Sequence, residues 1–437
     1  MKSQDSRGSV KPFVAPPRER RSLSHVGGAV SLDGAPDAAA ALARAVDVPT
    51  SEEAEQAARA HVHGFHSYPA RMHPLTAKRL TEQLSTGSDV VLDPFCGSGT
   101  VVVEARLAGR RAIGVDANPL AIRLARLKAR GTTQAERERL VEAASQAAAV
   151  ADARRKARSG PTHRYGGADT TLFDPHVLLE LDGLRLGIDE QPDKAIRDDL
   201  ELAFSAILTK VSRRTSDTSA NELPRRIAAG YPARLFTRKV KELCERLAEV
   251  ETALAASPQP RVLEGDARVL SGIASGEVDL IVTSPPYPGV YDYVAHHEAR
   301  LRWLRLPMSR FEASEIGARR RLDPMGARQG RDRWQQEIAD TLRAMHRVLK
   351  PPAARRPGGK LVLLLADSVV AGAPIYADDL VRAVAPSGGF EVTATASQLR
   401  PHFHPASARA FAQRARREHT ILLERLAGDI APKKPGT

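Results

Sequence analysis

The stretch from Val90 to Asp116 constrains the fold more than any other. Val90 to Asp93 is a short apolar run, Pro94 to Gly99 is a tight turn, and Thr100 to Leu107 has helical spacing. Gly109 is placed to end that helix, and Ala112 to Val115 is a second apolar run closed by Asp116. Strand, helix and strand in so short a span make a βαβ unit, whose parallel strands must be buried under helices on both faces. The predicted class is therefore α/β, a doubly wound sheet. Gly97 and Gly99 let the backbone approach a ligand closely. An acid ending the second strand of such a unit commonly holds ribose hydroxyls, which makes Asp116 the candidate. Only G-S-G is present, so the six-residue dinucleotide fingerprint is absent, and so is a Walker lysine. A nucleoside-type cofactor fits better than a bound phosphate. Cys96, inside the turn, has no obvious base partner and reads as packing.

A second constraint is Val278 to Tyr293. Asp279 to Val282 reads as a buried strand that stops at Thr283, Ser284, Pro285, Pro286 and Tyr287. Consecutive prolines fix φ and remove two backbone donors, so the strand cannot continue. Ligands of open α/β sheets bind at the carboxyl ends of strands, where this ledge lies. Ser284 offers a hydroxyl, Pro285 a free carbonyl, and Tyr287 a flat face. Two acceptors beside a stacking face suit a heterocycle with an exocyclic amine. Hydrogen bonds from both of its N–H groups would draw the nitrogen toward sp3 geometry and free its lone pair to attack a methyl cation equivalent. Taken alone, the motif reads equally well as a proline-rich turn.

At 437 residues the chain holds two domains, or one large domain with an insertion. A net charge of +13 and a pI near 10.0 favour a polyanionic partner, nucleic acid before an anionic membrane. No apolar run is long enough to span a bilayer, and no signal-peptide pattern opens the chain. Cys96 and Cys244 make neither a disulfide framework nor a zinc site, so a reducing cytoplasm is expected.

Residues 1–60, rich in Gly, Pro, Ser, Ala and Arg, read as a disordered basic arm with a short Ala-rich helix. Residues 61–130 carry the first βαβ unit. Residues 131–260 read as a helical insertion, with helices over 135–159, 198–214 and 235–254. Between the last two, a basic loop runs from Arg213 through Asn221 to Arg226. That loop is a candidate for phosphate and base-edge contact, with a helical lid and a solvated loop as the alternative. Residues 261–437 supply the remaining strands, including 359–365 and an antiparallel pair at 390–395 and 419–423. The sheet then has about seven strands, the last antiparallel. Tyr291 and Tyr293 extend the stacking platform or belong to the core. The arginines of 319–321 are candidates for phosphate contact, with a solvated basic loop as the alternative, and residues 400–404 and 414–417 form another basic loop. His296 and His297 point apart on a helix, so no metal site is expected.

Three motifs together resemble the S-adenosylmethionine-dependent amino-methyltransferases of DNA, which modify N4 of cytosine or N6 of adenine. They are DPFCGSGT at 93–100, TSPPY at 283–287 and FHSYPARMHP at 65–74. Their order is similar to the α-type arrangement, whose long insertion often reads the target. The resemblance covers 62–130 and 260–425. It implies a Rossmann-like methyltransferase sheet, S-adenosylmethionine as cofactor and double-stranded DNA as partner. A cognate restriction endonuclease is a further partner if the chain is half of a restriction-modification pair; the oligomeric state is not implied. The resemblance also implies roles. Asp93 and the loop of Phe95, Cys96, Gly97, Gly99 and Thr100 hold the methionine end of the cofactor. Asp116 holds the ribose, Asp266 lies beside the adenine, and Phe65 closes the pocket. Ser284, Pro285, Pro286 and Tyr287 hold a flipped base. Serine at 284 resembles the cytosine-N4 branch more than the adenine-N6 branch.

One rival chemistry is excluded by residue type. Methylation at cytosine C5 needs a cysteine nucleophile, and Tyr287 stands after the proline pair. The expectation is site-specific methylation of DNA at cytosine N4. The alternatives are adenine N6, guanine N2 of RNA, and a non-catalytic DNA-binding protein that kept the fold.

Overall fold

Alternation along the central strands decides the architecture. In the computed structural model, which describes residues 27–214, 226–354, 357–401 and 405–428, Val91 faces one side of the sheet while Val90 and Leu92 face the other. The main sheet comprises β1 (Val30–Gly34), β2 (Val90–Asp93), β3 (Arg111–Asp116), β4 (Arg261–Glu264), β5 (Leu280–Thr283), β6 (Lys360–Ala366), β9 (Phe390–Leu399) and β10 (Arg417–Arg425). A separate hairpin pairs β7 (Ser368–Val370) with β8 (Ala373–Ile375). The order in the main sheet is β1-β9-β10-β6-β5-β2-β3-β4. Strands β6, β5, β2, β3 and β4 are parallel, and β10 runs antiparallel to both β6 and β9. The chain winds outward in one direction from β2 and in the other from β5, so the topological switch point lies between them.

Both faces are covered. Val91, Ala112, Val282 and Leu364 pack with Val102, Leu120 and Leu124 from the helices Thr100–Leu107 and Pro119–Ala129. Leu92, Ile113, Ile281 and Leu363 pack with Trp334, Ile338, Leu342 and Met345 of the helix Gly326–Val348. The insertion adds Gln134–Lys156, Gly167–Leu172, Pro175–Asp189, Lys194–Val211 and Tyr231–Ala248, whose apolar stripes continue the first of these cores. Gln134–Lys156 opens with a capping box, in which Thr133 and Glu136 satisfy each other's backbone N–H groups. Among the described residues, no helix is long and apolar enough to cross a membrane.

Two expectations are corrected. The N-terminal arm is ordered from β1 onward. Strand β1 pairs antiparallel with β9, from Val30 opposite Gln398 to Gly34 opposite Ala394. The helix Pro36–Val46 then buries Ala39, Leu42 and Ala45. Those three recur every third residue, which is enough of a stripe to dock an otherwise polar segment. The sheet consequently has eight strands rather than seven, because β1 covers the open edge of β9. Residues 1–26 of the arm, and 215–225 of the expected target loop, lie outside the described residues.

Candidate functional site

The ledge after β5 sits at the switch point. Thr283 ends the strand and donates from Oγ1 to Asp93 Oδ1 at 2.6 Å, tying the carboxyl ends of β5 and β2 together. Two hollows open beside the ledge, of about 630 and 620 Å³, and Ala70, Ser284 and Tyr293 line both.

The first hollow is walled by Tyr68, Phe95, Gly97, Asp116, Ala117, Gly265, Ala267, Pro286, Phe311 and Glu315. Asp116 accepts from the Gly97 N–H at Oδ2 and from the Asn118 N–H at Oδ1, both at 2.8 Å. Burial pushes its carboxyl up to about 6, against the pull of those N–H groups. Gly97 has φ +49°, and a Cβ there would come 3.2 Å from the Tyr68 ring. Tyr68 is held from two sides. Its ring stacks on His297 with centroids 4.8 Å apart, and its hydroxyl accepts from Asn118 Nδ2 at 3.3 Å.

Phe65 does not close this hollow. It is 1% exposed, within the core, with Lys239 Nζ 5.2 Å from its ring centroid. Tyr68, three residues along the same motif, forms the wall instead. Asp93 is also off the lining. Its Oδ1 accepts from both Thr283 and the Phe95 N–H (3.1 Å), and burial pushes its carboxyl up to about 7. Cys96 packs inward, where a Cβ on Gly114 would come 3.0 Å from its Sγ. Gly99 has φ +88°, and a Cβ there would lie 2.9 Å from Ala125 Cα, so its lack of a side chain serves helix packing. Thr100 is buried at the first position of the following helix. Asp266 is gripped by Arg268 through Nη2 (2.6 Å) and Nε (3.0 Å), while its neighbours Gly265 and Ala267 line the hollow. Of the expected cofactor residues, Phe95, Gly97 and Asp116 come together on the wall.

The second hollow is lined by Arg71, Met72, Pro285, Tyr287, Tyr291, Leu364, Arg400, Arg416 and Glu418, among others. Ser284 Oγ donates to the Tyr287 hydroxyl at 3.4 Å, and that hydroxyl donates to Glu418 Oε1 at 3.0 Å. Glu418 also pairs with Arg400. Burial pushes the Tyr287 phenol up to about 12, so it stays neutral across the physiological range. Tyr291 and Tyr293 lean on each other with centroids 5.4 Å apart. Arg300 braces the wall from behind, donating to Ser67 (3.1 Å) and to Thr209 of the insertion (3.0 Å).

Several expected phosphate contacts are otherwise engaged. Arg213 pairs with Asp174 at 2.7 Å, and Arg320 pairs with Glu315 at 2.9 Å. Sequence reasoning missed Asn118, Glu315 and Glu418, and it read Arg400 only as part of a basic loop. Tyr68 was visible in the motif FHSYPARMHP; Arg400 and Glu418 lie on adjacent strands with no local pattern to mark them.

With this geometry in place, similarity to known proteins becomes informative. Residues 46–127 match the N6/N4 family model described as DNA methylase. The chain is 27% identical to the type II methyltransferase M.MvaI of Kocuria varians, over 56% of this chain and 58% of that protein. These similarities are to the N4/N6 amino-methyltransferases of DNA. A segment covering 16% of the chain is 34% identical to the type II methyltransferase M.MjaII of Methanocaldococcus jannaschii, of which it covers 13%. The chain thus spans well under two thirds of the curated relatives it matches. The rRNA methyltransferase aviRa of Streptomyces viridochromogenes aligns at 15% identity and a TM-score of 0.32, over 90% of this chain and 98% of that one, a likeness too loose to carry any argument. The resemblance to the amino-methyltransferases implies S-adenosylmethionine as cofactor. The first hollow fits it, with a carboxylate on the wall, an aromatic wall, and a place at Gly97 that any side chain would fill.

Proposed function

We propose that this chain methylates the exocyclic amine of a base in DNA, at N4 of cytosine, with the base held in the second hollow. The observation that carries the reading is that Ser284 lines both hollows, so a group held in one meets a group held in the other at that side chain. S-adenosylmethionine, when bound, supplies an electrophilic methyl group on a sulfonium sulfur. Asp116 would accept from the ribose hydroxyls, and Tyr68, Phe95 and Gly97 would enclose the rest. On the other side Ser284 Oγ and the Pro285 carbonyl accept the two N–H bonds of the target amine. That pulls the nitrogen toward sp3 geometry and turns its lone pair outward. With the cofactor in place, that lone pair would take the methyl group from the sulfonium sulfur, and an amine proton would leave to solvent. No covalent bond to the protein is needed, consistent with a neutral phenol at Tyr287.

Reaching this hollow requires taking the base out of the duplex, at a cost on the order of a few kcal/mol. The aromatic side chains Tyr287, Tyr291 and Tyr293 offset part of that by stacking. Net positive charge favours the polyanion and makes binding strongly salt-dependent. The test offers duplex DNA and RNA together with methyl-labelled S-adenosylmethionine. Label in DNA, lost with Ser284→Ala, is expected; label in RNA alone overturns the reading.

A further inference from the structure

We propose that Arg400 reads the N3–O2 edge of the target cytosine and so excludes adenine; this rests on the second hollow being the base pocket. Arg400 directly follows β9, and its backbone N–H donates to the Arg416 carbonyl at 2.9 Å, which fixes where the side chain starts. The side chain is 5% exposed and lines the hollow together with Ser284 and Pro285. Nη2 pairs with Glu418, whose other oxygen takes the Tyr287 hydroxyl. Nε and Nη1 have no hydrogen-bond partner among the described residues. A buried guanidinium with two unspent donor atoms is costly until acceptors arrive.

The two other arginines of the hollow differ. Arg416 gives Nε to the Asp367 carbonyl (2.9 Å) and Nη1 to the Pro401 carbonyl (3.2 Å). Arg71 gives Nη1 and Nη2 to the carbonyls of His63 and Ala58. Of the three, Arg400 is the one with two buried donor atoms, Nε and Nη1, that have no partner among the described residues. Beside its exocyclic amine, cytosine carries two acceptors in a row, N3 and then O2. Adenine carries N1 and then a C–H. A planar fork with two donors matches the first pattern and leaves one donor facing carbon in the second. The same guanidinium holds Glu418, and Glu418 holds Tyr287, so seating the edge also orients the ring beneath it.

The experiment starts from modification-sensitive sequencing of DNA from a host expressing the full chain, which gives the target site. Duplexes carrying cytosine or 3-deazacytosine (N3 replaced by C–H) at that site are then compared for the wild type and Arg400→Gln. The wild type should lose roughly 10- to 100-fold in kcat/KM on the analogue. Arg400→Gln should lose a similar factor on cytosine and then be indifferent to the analogue within about 3-fold, which a merely structural role would not produce. A variant that keeps the full analogue penalty overturns the inference. If Arg400→Gln does not fold, a wild type indifferent to the analogue overturns it alone. N6-methyladenine as the product would overturn the role of Arg400 while leaving the methyltransferase reading intact; no methylated base at all would remove both.

Discussion

Replacing Asp116 by asparagine removes one oxygen from a carboxylate that has both in use. Oδ2 accepts from Gly97 N–H and Oδ1 from Asn118 N–H, each at 2.8 Å. The new amide must turn its NH2 toward one of these donors, leaving a buried N–H unpaired at about 1–3 kcal/mol. The ribose hydroxyls also lose a charged acceptor, worth about 1.5–3 kcal/mol. The first cost falls on the free and the bound protein alike, and so on stability; the second gives an S-adenosylmethionine affinity lower by roughly 10- to 150-fold in calorimetry. Asp93→Asn should behave differently. Its two bonds both end on Oδ1, which asparagine retains, and burial already holds the carboxyl up at about 7. Affinity should then stay within about 3-fold of wild type. Wild-type affinity in Asp116→Asn, or equal losses in both variants, would refute this division of labour between the two acids.

Other perturbations separate the remaining parts of the site. Tyr287→Phe removes the hydroxyl that joins Ser284 to Glu418 and should lower kcat/KM by about 3- to 10-fold, and Tyr287→Ala by about 10- to 100-fold, with cofactor affinity nearly intact by calorimetry. Tyr68→Ala should weaken cofactor binding, whereas Phe65→Ala should cost about 3–5 kcal/mol of stability in urea unfolding. Gly99→Ala combines φ +88° with a Cβ 2.9 Å from Ala125 Cα and should destabilise by about 2–4 kcal/mol in the same assay. Cofactor affinity should rise between pH 5 and 7, because Asp116, with its carboxyl pushed up to about 6, accepts ribose hydroxyls fully only when ionised; Asp116→Asn should flatten the profile. The linked stability has the opposite sign. A carboxyl raised above its unfolded value gives stability that is present in acid and lost as pH rises through about 6, so the ligand-free melting temperature should fall over that window.

The parts of the fold visible in the sequence were those with strong local signals. Strand β2 and the helix Thr100–Leu107 fall where apolar runs and flanking glycines put them. The helix Pro175–Asp189 was invisible because Gly183 and Gly187 interrupt its pattern. Those glycines are there because Ala151 Cα and Ala147 Cα would lie 2.8 and 2.6 Å from any Cβ, an inter-helix distance that no local pattern encodes. Strand β1 was missed for a related reason: its support comes from β9, far along the chain. At the site, the proline pair fixed a rigid ledge that could be read directly. The choice of Tyr68 over Phe65, and the inward turn of Arg400, depend on tertiary neighbours. Gly97 and Gly99 looked equivalent in sequence, yet one opens space beside Tyr68 and the other lets two helices meet.

The most direct test of the account is nucleoside mass spectrometry of DNA from a methylation-free host expressing either the intact chain or its Ser284→Ala variant. The account predicts N4-methyldeoxycytidine from the former and its near disappearance from the latter, with the variant still binding S-adenosylmethionine. Methylation at cytosine C5, or an undiminished N4 signal without the Ser284 hydroxyl, would contradict it.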